Sequence, residues 1–160
     1  MDLTVRPLEA ADREWLRDFS RAAWGAEIVV AHGVIYRPHE LPGFVALDGA
    51  TPIGASTFQI EHHQCEIVTI ASLRERMGVG KALINAVVEA AQRWNCTRVW
   101  LITTNDNTNA LRFYQKRGFR LVAVHRDAVM AARALKPEIP LIGLDGIPIR
   151  DEIELEMLLT

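Results

Sequence analysis

The stretch LRERMGVGKALINAVVEAAQ, residues 73–92, sets Gly78 and Gly80 two apart at the mouth of a helix-like sequence. Arg74, Arg76 and Lys81 crowd the same turn, in a chain of formal net charge −2. A helix start offers unpaired N–H groups and the positive end of its dipole. Glycines there leave those N–H groups open to an approaching pyrophosphate, and the three cations add point charges. The same glycines also serve a tight helix entry with no ligand at all.

Two phosphate-binding designs fail on this stretch. A nucleotide P-loop requires Gly, four residues, then Gly-Lys-Ser/Thr. Gly80-Lys81 is present, but Glu75 stands at the first glycine and Ala82 at the hydroxyl. A dinucleotide fingerprint requires a third glycine at position 83, which is Leu83. Anion binding by the helix start itself survives.

The elements that must position this turn are legible on either side. QCEIVTIAS (64–72) reads as a buried strand rich in β-branched residues. In the following helix Leu83, Ile84, Val87, Val88 and Ala91 form one stripe, opposite Lys81, Asn85, Glu89 and Gln92, so it lies on a sheet. TRVWLITT (97–104) is a second buried strand, followed by a helix from about Asn107 to Lys116 that stops near Gly118. FRLVAVH continues as a strand. This alternation from 64 to 125 requires an α/β layer fold with some parallel pairing.

Before it, residues 3–8 read as a strand and 9–24 as a helix, with Asp12 placed to cap it. A short helix is expected over Ala26–Val30, then a loop through HGVIYRPHELPG. GFVALDGATPIGASTFQIEHH reads as two strands joined at Asp48-Gly49. After 125, a helix over 127–136, a loop and a final strand in IRDEIELEMLL complete the chain.

At 160 residues, 49% hydrophobic and 24% charged, one domain spanning 1–160 is expected. No apolar run approaches the roughly 20 residues of a membrane span. The amino terminus lacks a signal-peptide pattern, so a cytoplasmic protein is expected. Cys65 and Cys96 have no CxxC spacing and read as small buried hydrophobes. Without a basic stripe, nucleic acid is not an expected partner.

Beginning 25 residues after Gly80 stands NDNTNALRFYQKRGF, residues 105–119. Together the two stretches resemble the GCN5-related N-acetyltransferase (GNAT) family. Gly78 and Gly80 match the glycines of its Arg/Gln-x-x-Gly-x-Gly/Ala acyl-CoA loop. Asn107, Ala110, Tyr114, Gly118 and Phe119 match its later Asn-x-x-Ala-x-x-x-Tyr helix and Gly-Phe ending. The element order fits from residue 3 to 159. One position departs: Glu75 stands where the loop has Arg or Gln, with arginines on both sides.

The resemblance implies an α/β (α+β) GNAT fold, a mixed sheet of about six to seven strands flanked by helices. It implies transfer of an acetyl group from acetyl-CoA to a primary amine in a ternary complex, without a metal. A homodimer is compatible with it. Ile70, Arg74, Arg76, Gly78, Val79, Gly80, Lys81, Asn107, Ala110 and Tyr114 become the expected acetyl-CoA contacts. Tyr114 is the expected general acid, since a phenol with pKa near 10 keeps its proton at pH 7. The backbone N–H of Ile70 is the expected oxyanion donor. Glu66 is the expected base, because by period two it shares a face with Val68 and Ile70. Glu152 and Glu154 on the last strand are weaker candidates.

Other residues carry blander readings. His62 and His63, taken as adjacent on a strand end, point to opposite faces and share no metal. Trp94 and Trp100 read as core. Trp24, Tyr36 and His39 fall where the family places a substrate lid. A non-catalytic acyl-CoA sensor of the same fold is the rival to the enzyme, and the identity of the acceptor is not legible.

Overall fold

A computed structural model describes all 160 residues. Seven strands form one sheet in the order β1-β4-β5-β6-β7-β9-β8. They are β1 (Leu3–Pro7), β4 (Gly43–Asp48), β5 (Thr51–Glu61), β6 (Gln64–Ser72), β7 (Arg98–Thr104), β8 (Arg120–His125) and β9 (Glu152–Leu158). Neighbours are antiparallel except β6 and β7, which run parallel. Parallel neighbours need a crossover, and α2 (Val79–Arg93) supplies it.

The apolar stripe read from the sequence is what α2 buries. Leu83, Ile84, Val87, Ala90 and Ala91 join Cys65, Ile67, Val99, Leu101 and Leu155 in the main core. The opposite face carries α1 (Arg13–Trp24), whose Leu16 and Phe19 pack on Ala55. Two more helices follow: α3 (Thr108–Lys116), whose Tyr114 joins the same core as α2, and α4 (Ala128–Leu135), which packs beside the short strand Val29–Ala31. No helix is long and apolar enough to cross a membrane.

The 26–43 region differs from the sequence reading. Ala26–Val30 is not a helix. Val29–Ala31 is strand β2, paired antiparallel with β3 (Val34–Tyr36) inside the stretch expected to be loop. The cause is local: β-branched residues flank His32-Gly33, a two-residue turn whose φ angles are 41° and 79°. A single 3₁₀ turn, Pro38–Glu40, follows.

Smaller departures have similar causes. α1 begins at Arg13, after a 3₁₀ turn at Ala10–Asp12, and Asp12 does not cap it. The Asp12 carboxylate instead accepts from the Glu9 N–H and from Arg6. His62 and His63 are not on a strand end; they are the two left-handed residues of the β5–β6 turn, φ 53° and 59°. Trp94 is 68% exposed rather than core. Helix α2 has ended by then, and the left-handed turn at Asn95 carries Cys96 into the core instead.

Candidate active site

Strands β6 and β7 are paired only from Gln64–Arg98 to Ile67–Leu101. Beyond that point β6 follows β5 as far as Ser72, and β7 follows β9 as far as Thr104. Each strand stays bonded to its outer neighbour, so the sheet opens between them. Thr69 and Ile70 form one lip of the opening, Ile102 and Thr104 the other. The cavity there has a volume of about 280 Å³. Trp24, Val29, Val30, Val129, Ala132 and Ile149 supply an apolar wall, from α1, β2, α4 and the loop before β9.

A bulge alters which side chains reach this cavity. In the β5–β6 ladder Thr57 faces Thr69, but Phe58 faces Ile67, leaving Val68 as the extra residue. One inserted residue reverses the alternation beyond it. Cys65, Ile67 and Ile70 therefore all pack toward the α2 core, and Glu66 does not share a face with Ile70. Thr69 turns the other way, its hydroxyl 2.6 Å from that of Thr57.

Glu66 lies in a neighbouring pocket of about 200 Å³, with His32, Tyr36, Gln59 and Trp100. The Tyr36 hydroxyl donates to Glu66 Oε1 at 2.5 Å, and His32 Nε2 lies 2.8 Å from Oε2. Burial raises the Glu66 pKa above the usual carboxylate range, while Tyr36 and His32 oppose the shift. The carboxylate that lines the main cavity is Glu152, 4% exposed. Its Oε1 accepts the backbone N–H of His32 at 3.1 Å. Burial raises its pKa, against partial relief from that bond. His32 thus touches both carboxylates, one through its ring and one through its backbone.

Tyr114 is buried in α3 and lines the same cavity. Its ring sits 5.4 Å from Phe113 and 5.6 Å from Phe119, both edge-on. Burial pushes its phenol above the ordinary value, so it stays protonated throughout the neutral range. Asn107 starts α3, its Oδ1 accepting the Ala110 N–H at 3.1 Å, which explains that pair's spacing as a helix cap.

The glycine turn follows directly from β6. Gly78 is the left-handed N-cap of α2, φ 78°, and a Cβ there would meet nothing within 4 Å. The first-turn N–H groups face no side-chain cap. Gly80 answers a different constraint: its Cβ would lie 3.0 Å from Phe113 Cζ, so its smallness lets α3 approach α2. Among the cations, Arg74 is tied to Asp48. Arg76 and Lys81 are exposed.

Sequence reading had named the turn, Tyr114 and both carboxylates as candidates, of which Tyr114 and Glu152 line the cavity and Glu66 lies in the pocket beside it. It missed His32 and Lys136, a cavity-lining lysine only 7% exposed. The signal for His32 was present, as two β-branched runs around His-Gly. Nothing in the sequence marks Lys136 as buried.

A sequence model described as the acetyltransferase (GNAT) family matches residues 8–119. The uncharacterized protein YdhI of Bacillus subtilis (strain 168) is 43% identical over 152 residues, covering 94% of this chain and 95% of that protein. A Bacillus subtilis acetyltransferase solved in complex with CoA superposes with a TM-score of 0.72, covering 99% of each chain at 22% identity. A GNAT family acetyltransferase from Elizabethkingia anophelis with acetyl-CoA bound gives the same TM-score, identity and coverage. At that identity the structural likeness is one of fold.

Proposed function

The chain belongs to the acetyltransferase (GNAT) family, and on that premise we propose that it transfers an acetyl group from acetyl-CoA to a primary amine, by direct attack in a ternary complex. The observation that carries this reading is the parting of β6 and β7. One opening collects the Ile70 backbone, the Tyr114 side chain and a chamber for an acceptor. The donor supplies an activated thioester; this chain's residues do the rest.

The N–H groups of Gly78, Val79 and Gly80 hold the pyrophosphate, and the open space beside Gly78 fits an anion seated on the helix start. Arg76 and Lys81 add charge, and Arg76 takes the place of the missing loop arginine, since Arg74 is held by Asp48. Ala110, half-buried against the core, and the capped Asn107 set where α3 begins. The Ile70 N–H serves the thioester carbonyl oxygen.

The incoming amine must shed a proton as its nitrogen bonds the carbonyl carbon. Glu152 is assigned that proton because it lines the chamber, with Glu66 as the second carboxylate behind His32. The C–S bond breaks, and Tyr114 gives its proton to the leaving thiolate. The free edge of β8, where Leu121, Val122 and Val124 are exposed, is where a second copy of the chain would add a strand. Light scattering decides that point: a monomer mass removes it.

The experiment that tests transfer is thiol release from acetyl-CoA across a panel of amines. Release that requires an amine, with an equal yield of acetylated product, supports the reading. Binding without release supports a sensor.

A further inference from the structure

The chamber wall is mostly apolar, with Thr69, Thr103 and Thr104 at its lips, and it carries two buried charges of opposite sign, Lys136 and Glu152. Lys136 follows α4 and is 7% exposed. Its Nζ makes one hydrogen bond within the protein, to the carbonyl of Trp24 at 3.1 Å. An ammonium has three donors, so two are unspent. A buried ammonium without a counter-charge is costly. Burial accordingly lowers its pKa, with Glu138 opposing. Glu152 Oε1 takes the His32 N–H, and its second oxygen receives nothing from the protein.

We infer that the acceptor is a small amino acid with an apolar side chain, its carboxylate on Lys136 and its amine at Glu152. This rests on the acetyl-transfer reading and names the substrate class for the same chamber. Each buried charge finds its complement in such a zwitterion, and the apolar wall takes the side chain. A carboxylate matches the single ammonium, whereas a phosphate leaves surplus negative charge. The chamber, about 280 Å³, sits below the usual range of ~300–1,000 Å³ for ligand pockets, which favours a small acceptor. A protein lysine or a peptide amino terminus brings no carboxylate beside its amine.

Lys136 also ties α4 to the last carbonyl of α1, and the test must separate that staple from recognition. Lys136→Gln keeps a donor for Trp24 and removes the charge. Leucine and methionine are compared with leucinamide and methioninamide by thiol release, in the wild type and in this variant. The acids are expected to have kcat/KM about 10- to 100-fold above the amides, the span of one charge-assisted contact. That ratio should fall toward one in Lys136→Gln. Calorimetry of N-acetylleucine and N-acetylleucinamide on the CoA-loaded protein reads recognition without turnover. Tighter binding of the acid, lost in Lys136→Gln, supports the assignment even if no amine is acetylated, and then only the transfer reading fails. Amides used as well as acids, with equal binding of the two products, overturn the assignment while transfer stands. A ratio unmoved in folded Lys136→Gln overturns it too.

Discussion

At the scale of single residues, one side chain gives a proton and another takes one. Tyr114→Phe keeps the ring against Phe113 and Phe119 and removes only the hydroxyl. General acid catalysis is typically worth ~10²–10⁴ in rate; because a thiolate leaves fairly readily, kcat should fall near the lower end. Burial holds this phenol above its ordinary value, so wild-type kcat should show no alkaline limb near pH 9–10 from Tyr114. Near-normal turnover in Tyr114→Phe would make it a core aromatic. Glu152 gives a signed prediction. Its folded-state pKa is raised by burial, so the folded chain binds its proton more tightly than the unfolded chain. Folding bears that cost in full above the raised value and sheds it as pH falls from there to the ordinary carboxylate value. Glu152→Gln should therefore stabilise the fold at neutral pH, not below pH 4, and remove the acid limb of kcat. Urea unfolding and a pH–rate profile read both effects. An acid limb that survives here and disappears in Glu66→Gln moves the base to Glu66.

At the scale of elements, the legible parts were those with an unbroken period. The α2 stripe, the β-branched runs of β6 and β7 and the Asp48-Gly49 turn each carry a local signal, and all formed as read. The face assigned to Glu66 failed because a bulge leaves no local mark: Val68 looks like any strand residue until β5 pairs across from it. The β2–β3 hairpin was misread because three-residue strands are too short to show alternation. Lys136 was invisible because its burial is set by α1, far away in sequence. The glycine turn combined two demands that sequence could not separate. Gly80→Ala should lower stability through the Phe113 contact, and adding Phe113→Leu should recover part of the loss by opening room. Lys81→Glu, exposed and away from that contact, should instead weaken acetyl-CoA binding with stability nearly unchanged. Thermal unfolding beside calorimetry separates the two; equal losses in both variants would contradict the division of labour.

At the scale of the molecule, one topological event makes the site: two parallel neighbours separate because each stays bonded to its outer strand. The chain has no thiol placed to carry the acetyl group. Cys65 is fully buried in the core, its pKa pushed up to about 12 by burial, and Cys96 is buried beside the same core. A nucleophilic cysteine is instead an exposed thiol of depressed pKa. Direct transfer between two substrates bound together, as proposed above, needs no such thiol. The central claim is tested most directly by initial rates of thiol release with acetyl-CoA and an accepted amine varied together, and the acetylated product quantified by mass spectrometry. Intersecting double-reciprocal lines, with one acetylated amine per thiol, are the predicted result. Parallel lines would require an acetylated protein between two half-reactions, and tight acetyl-CoA binding with no release to any amine would make the chain a sensor; either contradicts the account.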